Sequence, residues 1–234
     1  MNIQLHQYPS IWGLTSLSPF CIKLEAFLKY NNLPYKVVVE KNPNKGPKGK
    51  MPFININDKI IADSSYIIEY LANKYSLHNQ LSSTPDSLAY KSMLEESFYF
   101  ILLYSRWIDE ENFRIVRHDF GNLFLPGYGY LFMGFIRNSL KKQAHHQGIS
   151  RHSQHEVYEL GIKHLRSFDK KLQQNKFFFG DHISEIDFSL YGFFITLLKS
   201  PLNSDLYIEF KKMNNLVNYT ERLDQLFNLG NKNE

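Results

Sequence analysis

Ser18, Pro19, Phe20 and Cys21 stand together where a short apolar run gives way to an amphipathic one. A helix start has main-chain N–H groups with no partner inside the helix and carries a partial positive charge, so it can hold an anion. A serine hydroxyl there can donate to that anion, or it can cap the helix. The Cys21 thiol can serve as a nucleophile if its thiolate is favoured, or pack as a small apolar residue one turn into the helix. Two other stretches carry similar potential. Met51-Pro52 offers an X–Pro bond, the kind that adopts the cis form in about one case in twenty. Asp63-Ser64 sets an acid and a hydroxyl before an apolar periodic run, which marks a helix cap or a second anion-holding helix start. His145, His146, His152 and His155 cluster loosely, but Gly148 and Ser150 interrupt their spacing, and no metal site is expected.

The surrounding pattern supplies elements to position these groups. Ile3, Leu5 and Tyr8 suggest a strand, followed by a Pro- and Gly-bearing loop over 9–17. Ser18 suits the N-cap and Pro19 the first helical position, with Phe20, Leu24, Phe27 and Leu28 on one face and Asn31-Asn32 as the end. Tyr35 to Val39 reads as a buried strand, which completes a βαβ unit. Phe53 to Ile56 alternates, Asn57-Asp58 is a turn signal, and Lys59 to Ile61 returns as the second arm of a hairpin. A helix follows with Ile67, Ile68, Leu71 and Tyr75 on its inner face. The order βαβ–loop–ββα predicts a thioredoxin-like domain over residues 1–76. A polar linker, 77–86, leads to an all-helical domain, 87–234. Within it one long helix runs from Ser87 to about Trp107, a Gly- and Pro-broken stretch covers 120–130, and a helix covers 135–147. Capping boxes at Ser153/Glu156 and Ser184/Asp187 open two more helices, and a last one runs over about 216–227.

Bulk properties narrow the function. At 234 residues the chain has room for one large domain or two modest ones. Its 27 Lys and Arg against 23 Asp and Glu give +4, spread without a basic block, so no nucleic-acid partner is expected. A single cysteine forbids an internal disulfide and fits a reducing compartment. Met1 to Gln7 lacks a leader pattern, and the best apolar run, Leu190 to Leu198, is too short to span a bilayer. A soluble cytoplasmic protein with no integral membrane segment is expected.

With these residues in place the chain resembles the cytosolic glutathione transferase superfamily. Ser18-Pro19-Phe20-Cys21 stands at the start of the first helix, Met51-Pro52 at the family's cis-proline, Asp63-Ser64 at its acid-serine pair, and Ser184 to Asp187 at its helical-domain capping box. The segments His6 to Pro9, Pro47 to Pro52, Ala62 to Leu71, Arg106-Trp107 and Arg151 to Ser153 resemble the failed-axon-connections branch, related to the metaxins. The resemblance implies glutathione as co-substrate and a small apolar electrophile as acceptor. It implies Ser18 as stabiliser of the thiolate, with Cys21 as the alternative catalytic residue. Met51, Pro52, Asp63, Ser64 and Lys50 would hold the tripeptide. Tyr99, Tyr104, Arg106 and Trp107 lie on the helix that walls the family's second-substrate pocket, and Tyr104 and Trp107 are expected to line it. A homodimer is also expected. Two other functions stay open: a non-catalytic, metaxin-like binding module, and a glutathione-dependent thiol transferase using Cys21.

Overall fold

The structure, a computed structural model, describes residues 3–81, 84–124 and 129–230. Strand β1 (Ile3–Gln7) pairs in parallel with β2 (Tyr35–Val39), and helix α1 (Pro19–Tyr30) makes the crossover between them. On the other side β1 pairs antiparallel with β3 (Phe53–Ile56), which pairs antiparallel with β4 (Lys59–Ala62). The strand order is β2-β1-β3-β4, the thioredoxin-like arrangement expected. The hairpin closes on Asn57 and Asp58 with φ of 49° and 62°, as a two-residue turn with both centres left-handed requires. The buried strand expected over 35–39 is instead an edge strand, and Lys36 and Val39 are exposed. Its β-branched composition suits any strand, and only the strand order decides which one is covered.

Helix α1 is buried on more than one side. Cys21, Leu24, Ala26, Phe27 and Leu28 are sealed from solvent, and so are Lys23 and Glu25. The second face packs on α8 (Glu185–Lys199), the apolar helix opened by the Ser184/Asp187 capping box. Gly192 of α8 makes that approach possible, because a Cβ there would lie 2.3 Å from the carbonyl oxygen of Pro19. Asp187 is fully buried and accepts from Phe178 N (2.7 Å), Ser184 N (2.8 Å) and Tyr219 OH (2.6 Å), so one carboxylate ties three segments together.

Helix α2 (Ser64–Tyr75) follows the hairpin. The long helix expected from Ser87 is a composite: α3 (Pro85–Ser92), a π-helical stretch over Met93–Phe98, then α4 (Tyr99–Trp107). A wider turn shifts the phase of every later side chain, which no 3.6-residue count would register. Helix α5 (Glu110–Phe124) runs through Gly121, where a break was expected, and α6 (Gly129–Gln147) begins at Gly129, six residues earlier than the expected 135. A Cβ on Gly129 would stand 1.8 Å from Gly121 O, so these two glycines mark a close helix crossing rather than two breaks. The breaks expected at Pro126 and Gly127, and Ser82-Ser83 of the linker, lie outside the described residues. The remaining helices are α7 (Gln154–Leu172), opened by the Ser153/Glu156 box, α9 (Asp205–Lys212) and α10 (Asn214–Phe227).

Candidate functional site

Ser18 occupies the N-cap of α1, with extended backbone (φ −104°, ψ 125°). Its carbonyl oxygen accepts from Cys21 N and Ile22 N, both at 3.1 Å, while its hydroxyl makes no capping bond. The hydroxyl turns inward to the Cys21 thiol, which is also approached by the Ser16 hydroxyl and the main-chain N–H of Tyr8. Burial outweighs these donors and pushes the Cys21 thiol up to about 11. At neutral pH it is a protonated, fully buried group. The thiol belongs to a small apolar cluster of Cys21, Met51 and Phe53, flanked by Tyr8 and Ala62.

Tyr8, one residue past β1, is the member of this group that sequence reasoning read as a strand residue and assigned no role. Burial raises its hydroxyl pKa, and the neighbouring Cys21 and Tyr99 raise it further. The available signal was positional: a phenol at the mouth of a strand, next to the loop that leads into α1.

The Met51-Pro52 peptide bond is cis, and Met51 is buried. The Met51 N–H and C=O have no hydrogen-bond partner among the described residues. Pro52 O accepts from Asp63 N at 3.4 Å, which ties this turn to the head of α2. Asp63 has φ 85°, uncommon for a residue with a side chain, and its Oδ1 accepts from Ser65 N at 3.0 Å, so it caps α2. Its other oxygen lies 3.9 Å from Lys48 Nζ, which also sits 4.4 Å from the Tyr66 ring centre. Ser64 is buried at the first position of α2. Lys50 is exposed and donates to Gln143 Oε1 on α6 at 3.3 Å, so Lys48 rather than Lys50 stands beside Asp63. The structure thus brings Ser18, Cys21, Met51, Pro52, Asp63 and Ser64 to one junction.

Tyr104 and Trp107 are not brought there. Tyr104 is buried against Tyr158 (6.2 Å between ring centres), and Trp107 packs between Phe113 and Phe120 (6.3 and 5.8 Å). The face of α4 turned toward α1 carries Tyr99 and Arg106, seven residues apart and therefore on one side of a helix. Tyr99 meets Phe20 at 5.3 Å, and Arg106 Nη1 donates to Leu17 O at 2.9 Å. Two open grooves, of about 330 and 400 Å³, lie elsewhere on the molecule and are not lined by Ser18, Met51 or Ser64. Among the described residues no group of three or more His, Cys, Asp or Glu side chains could hold a metal, and no helix is long and apolar enough to cross a membrane.

A buried charge network braces the junction from behind. Lys23 Nζ, on α1, donates to Glu95 Oε1 (2.7 Å), Glu185 Oε1 (3.2 Å) and Ser65 Oγ (2.9 Å). Lys91 also pairs with Glu185. Burial works against charge on both Lys23 and Glu185, but the opposite charges outweigh it, so the Lys23 pKa is raised and the Glu185 pKa lowered. Lys23 therefore joins the start of α2 to the π-helical stretch and to α8.

Comparison with known proteins agrees with this architecture. The family model described as glutathione S-transferase N-terminal domain matches residues 19–112, and the one described as glutathione S-transferase, C-terminal domain matches residues 161–223. Failed axon connections of Drosophila melanogaster is 32% identical over 200 residues, covering 79% of this chain and 47% of that protein. Mouse metaxin-1 is 27% identical over 229 residues, covering 92% of this chain and 72% of that protein. The chain belongs to the glutathione transferase superfamily, in its metaxin-like branch. It spans about half the length of Failed axon connections. Among solved structures, apo glutathione S-transferase III superposes with a TM-score of 0.64 over 98% of this chain and 95% of that one, at 16% identity, which shows the shared fold. In this superfamily member, α1, α2 and the cis-prolyl turn stand in the order that the fold prescribes.

Proposed function

We propose that the chain binds glutathione where α1, α2 and Met51-Pro52 meet, and transfers it to a small apolar electrophile. One observation carries this reading: two helix starts converge on a single prolyl turn. Cys21 of α1 packs with Met51, and the head of α2 is tied to Pro52 through Asp63 N. Each part of the tripeptide has a counterpart. The γ-glutamyl carboxylate suits Ser64 and the first N–H groups of α2. Its ammonium suits Asp63. The cysteinyl backbone suits the free N–H and C=O of Met51, as an added strand would. Lys48 is the nearer cation for the glycyl carboxylate.

The thiol of glutathione then meets Ser18. A free thiol titrates near about 8.5, so a donor and a helix dipole that favour the thiolate raise its reactive fraction at neutral pH. Cys21 contributes indirectly. As a neutral thiol it is only a weak acceptor for the Ser18 hydroxyl, so that hydroxyl can turn to the stronger acceptor, the incoming thiolate. The glutathione proton passes to solvent, the sulfur lone pair attacks the electrophilic carbon, a C–S bond forms, and the leaving group departs with its electron pair. Direct thiol transfer through Cys21 is the weaker reading, because its sulfur is sealed and protonated. A homodimer in the cytoplasm belongs to the same proposal, and light scattering reports the oligomeric state.

Calorimetry with reduced glutathione is the direct test. Binding at or below about millimolar ligand is expected, and heat-silent titration at that level sinks the proposal. With binding in hand, Ser18→Ala is expected to lower kcat for an aryl halide acceptor by roughly 100-fold, as loss of one aimed donor does. Cys21→Ala is expected to retain most of the rate.

A further inference from the structure

Arg106 has an unmatched charge beside the proposed site. It is 5% exposed, and only Nη1 is bonded, to Leu17 O at 2.9 Å. Its Nε and Nη2 are buried with no hydrogen-bond partner, and no carboxylate pairs with it among the described residues. Those two nitrogens form one edge of the guanidinium, with parallel N–H bonds that match the two oxygens of a carboxylate. A buried cation without a counter-ion is costly, and a protein keeps one where a ligand supplies the missing charge.

The position says which ligand. Leu17 immediately precedes Ser18, so the guanidinium is one residue from the proposed thiolate site. Tyr99, on the same face of α4, feels the Arg106 charge and packs at a tilt against Phe20, which in turn meets Phe193 edge-on at 5.4 Å. The neighbourhood is thus apolar and aromatic, with one cation at its end. Leu17, Phe20 and Tyr99 are themselves only half-buried, so solvent is about one side chain away.

We infer that Arg106 Nε and Nη2 form a carboxylate subsite, and that the molecule entering beside Ser18 is an apolar or aromatic acid. The inference rests on the transferase reading for that acid's role as acceptor; its binding does not. The subsite accounts for the free edge, and a neutral acceptor would leave the charge buried and unmet. Arg106 here is a binding residue and takes no part in bond making.

The test uses 3-phenylpropionate and 3-phenylpropionamide, matched in size and differing in charge, titrated calorimetrically into the full chain without glutathione. The acid is expected to bind about 10-fold or more tighter than the amide, as charge-assisted pairing gives. Arg106→Met is expected to erase that preference, and Arg106→Lys to keep part of it, since a lysine offers charge without the flat edge. Equal affinities, no binding of the acid by about 10 mM, or a preference that survives Arg106→Met each overturn the inference. Nη1 also holds Leu17, so a variant can fail to fold. Nitrogen-15 NMR of the arginine Nε–H signals of the unaltered chain then decides: one signal shifts with the acid and not with the amide, or the subsite is filled by water alone and the idea is wrong. Failure of glutathione to bind, with acid selectivity intact, removes the transferase reading and leaves the subsite standing.

Discussion

Ser18 sits at a helix start and leaves the cap unmade, and this distinguishes it from an ordinary capping serine. Removing a serine that bonds the first turn costs about 1 kcal/mol. Because the Ser18 hydroxyl faces Cys21 instead, Ser18→Ala is expected to change stability by less than that while lowering the rate, and a urea melt of the variant checks it. Cys21 makes the complementary prediction. Burial raises its pKa from 9.0 to about 11, so the folded state favours the neutral thiol. That contribution is complete below pH 9 and is lost as pH rises through 11, a decline on the order of 2–3 kcal/mol. Urea midpoints should fall between pH 8 and pH 11 in the native chain and fall less in Cys21→Ala. Iodoacetamide at pH 8 should modify Cys21 only after denaturation; rapid alkylation of the folded chain would show an accessible thiolate and restore the thiol-transfer reading.

Helix α1 is set in place by one glycine and one lysine. Gly192→Ala puts a methyl group against Pro19 O, and overpacking of this kind costs about 1–3 kcal/mol. Because the displaced element carries Ser18, glutathione affinity should fall together with the melting temperature; unchanged affinity would mean that α8 does not set the site. Lys23→Met leaves the part-buried Glu95 without its cation and Glu185 with Lys91 alone, which costs about 3 kcal/mol, the low end for breaking a buried pair. The network also sets a limit at low pH. The Glu185 pKa is held below its ordinary 4.5, so its contribution is present above that value and is lost as pH falls through the lower folded pKa. Acid unfolding monitored by circular dichroism should therefore begin below about pH 4.5.

At the scale of the whole molecule, the sheet half and the helical half share one buried core and the Lys23 charges. A chain joined this way should melt in a single calorimetric transition, and two resolved transitions would contradict the coupling. Under the proposed function, glutathione binds only the folded form and should raise that single transition by mass action, equivalent to about 2.7 kcal/mol at 100 times its dissociation constant.

The order of strands and helices up to α2, the hairpin turn at Asn57-Asp58 and both capping boxes were legible in the sequence, because each depends on residues within a few positions of one another. Ser18, Met51 and Ser64 were legible as candidates for the same reason. What lay beyond the sequence depends on neighbours far along the chain. The exposure of β2 follows from strand order. The direction of the Ser18 hydroxyl follows from the thiol one turn away and the buried pocket around it. Beyond the π-helical stretch, Tyr99 and Arg106 face α1, while Tyr104 is buried against Tyr158 and Trp107 packs between Phe113 and Phe120. Gly121 and Gly129 read as breaks until two helices were seen to cross at them. Local patterns determine the elements; burial, which no single stretch contains, decided which of their side chains face the site.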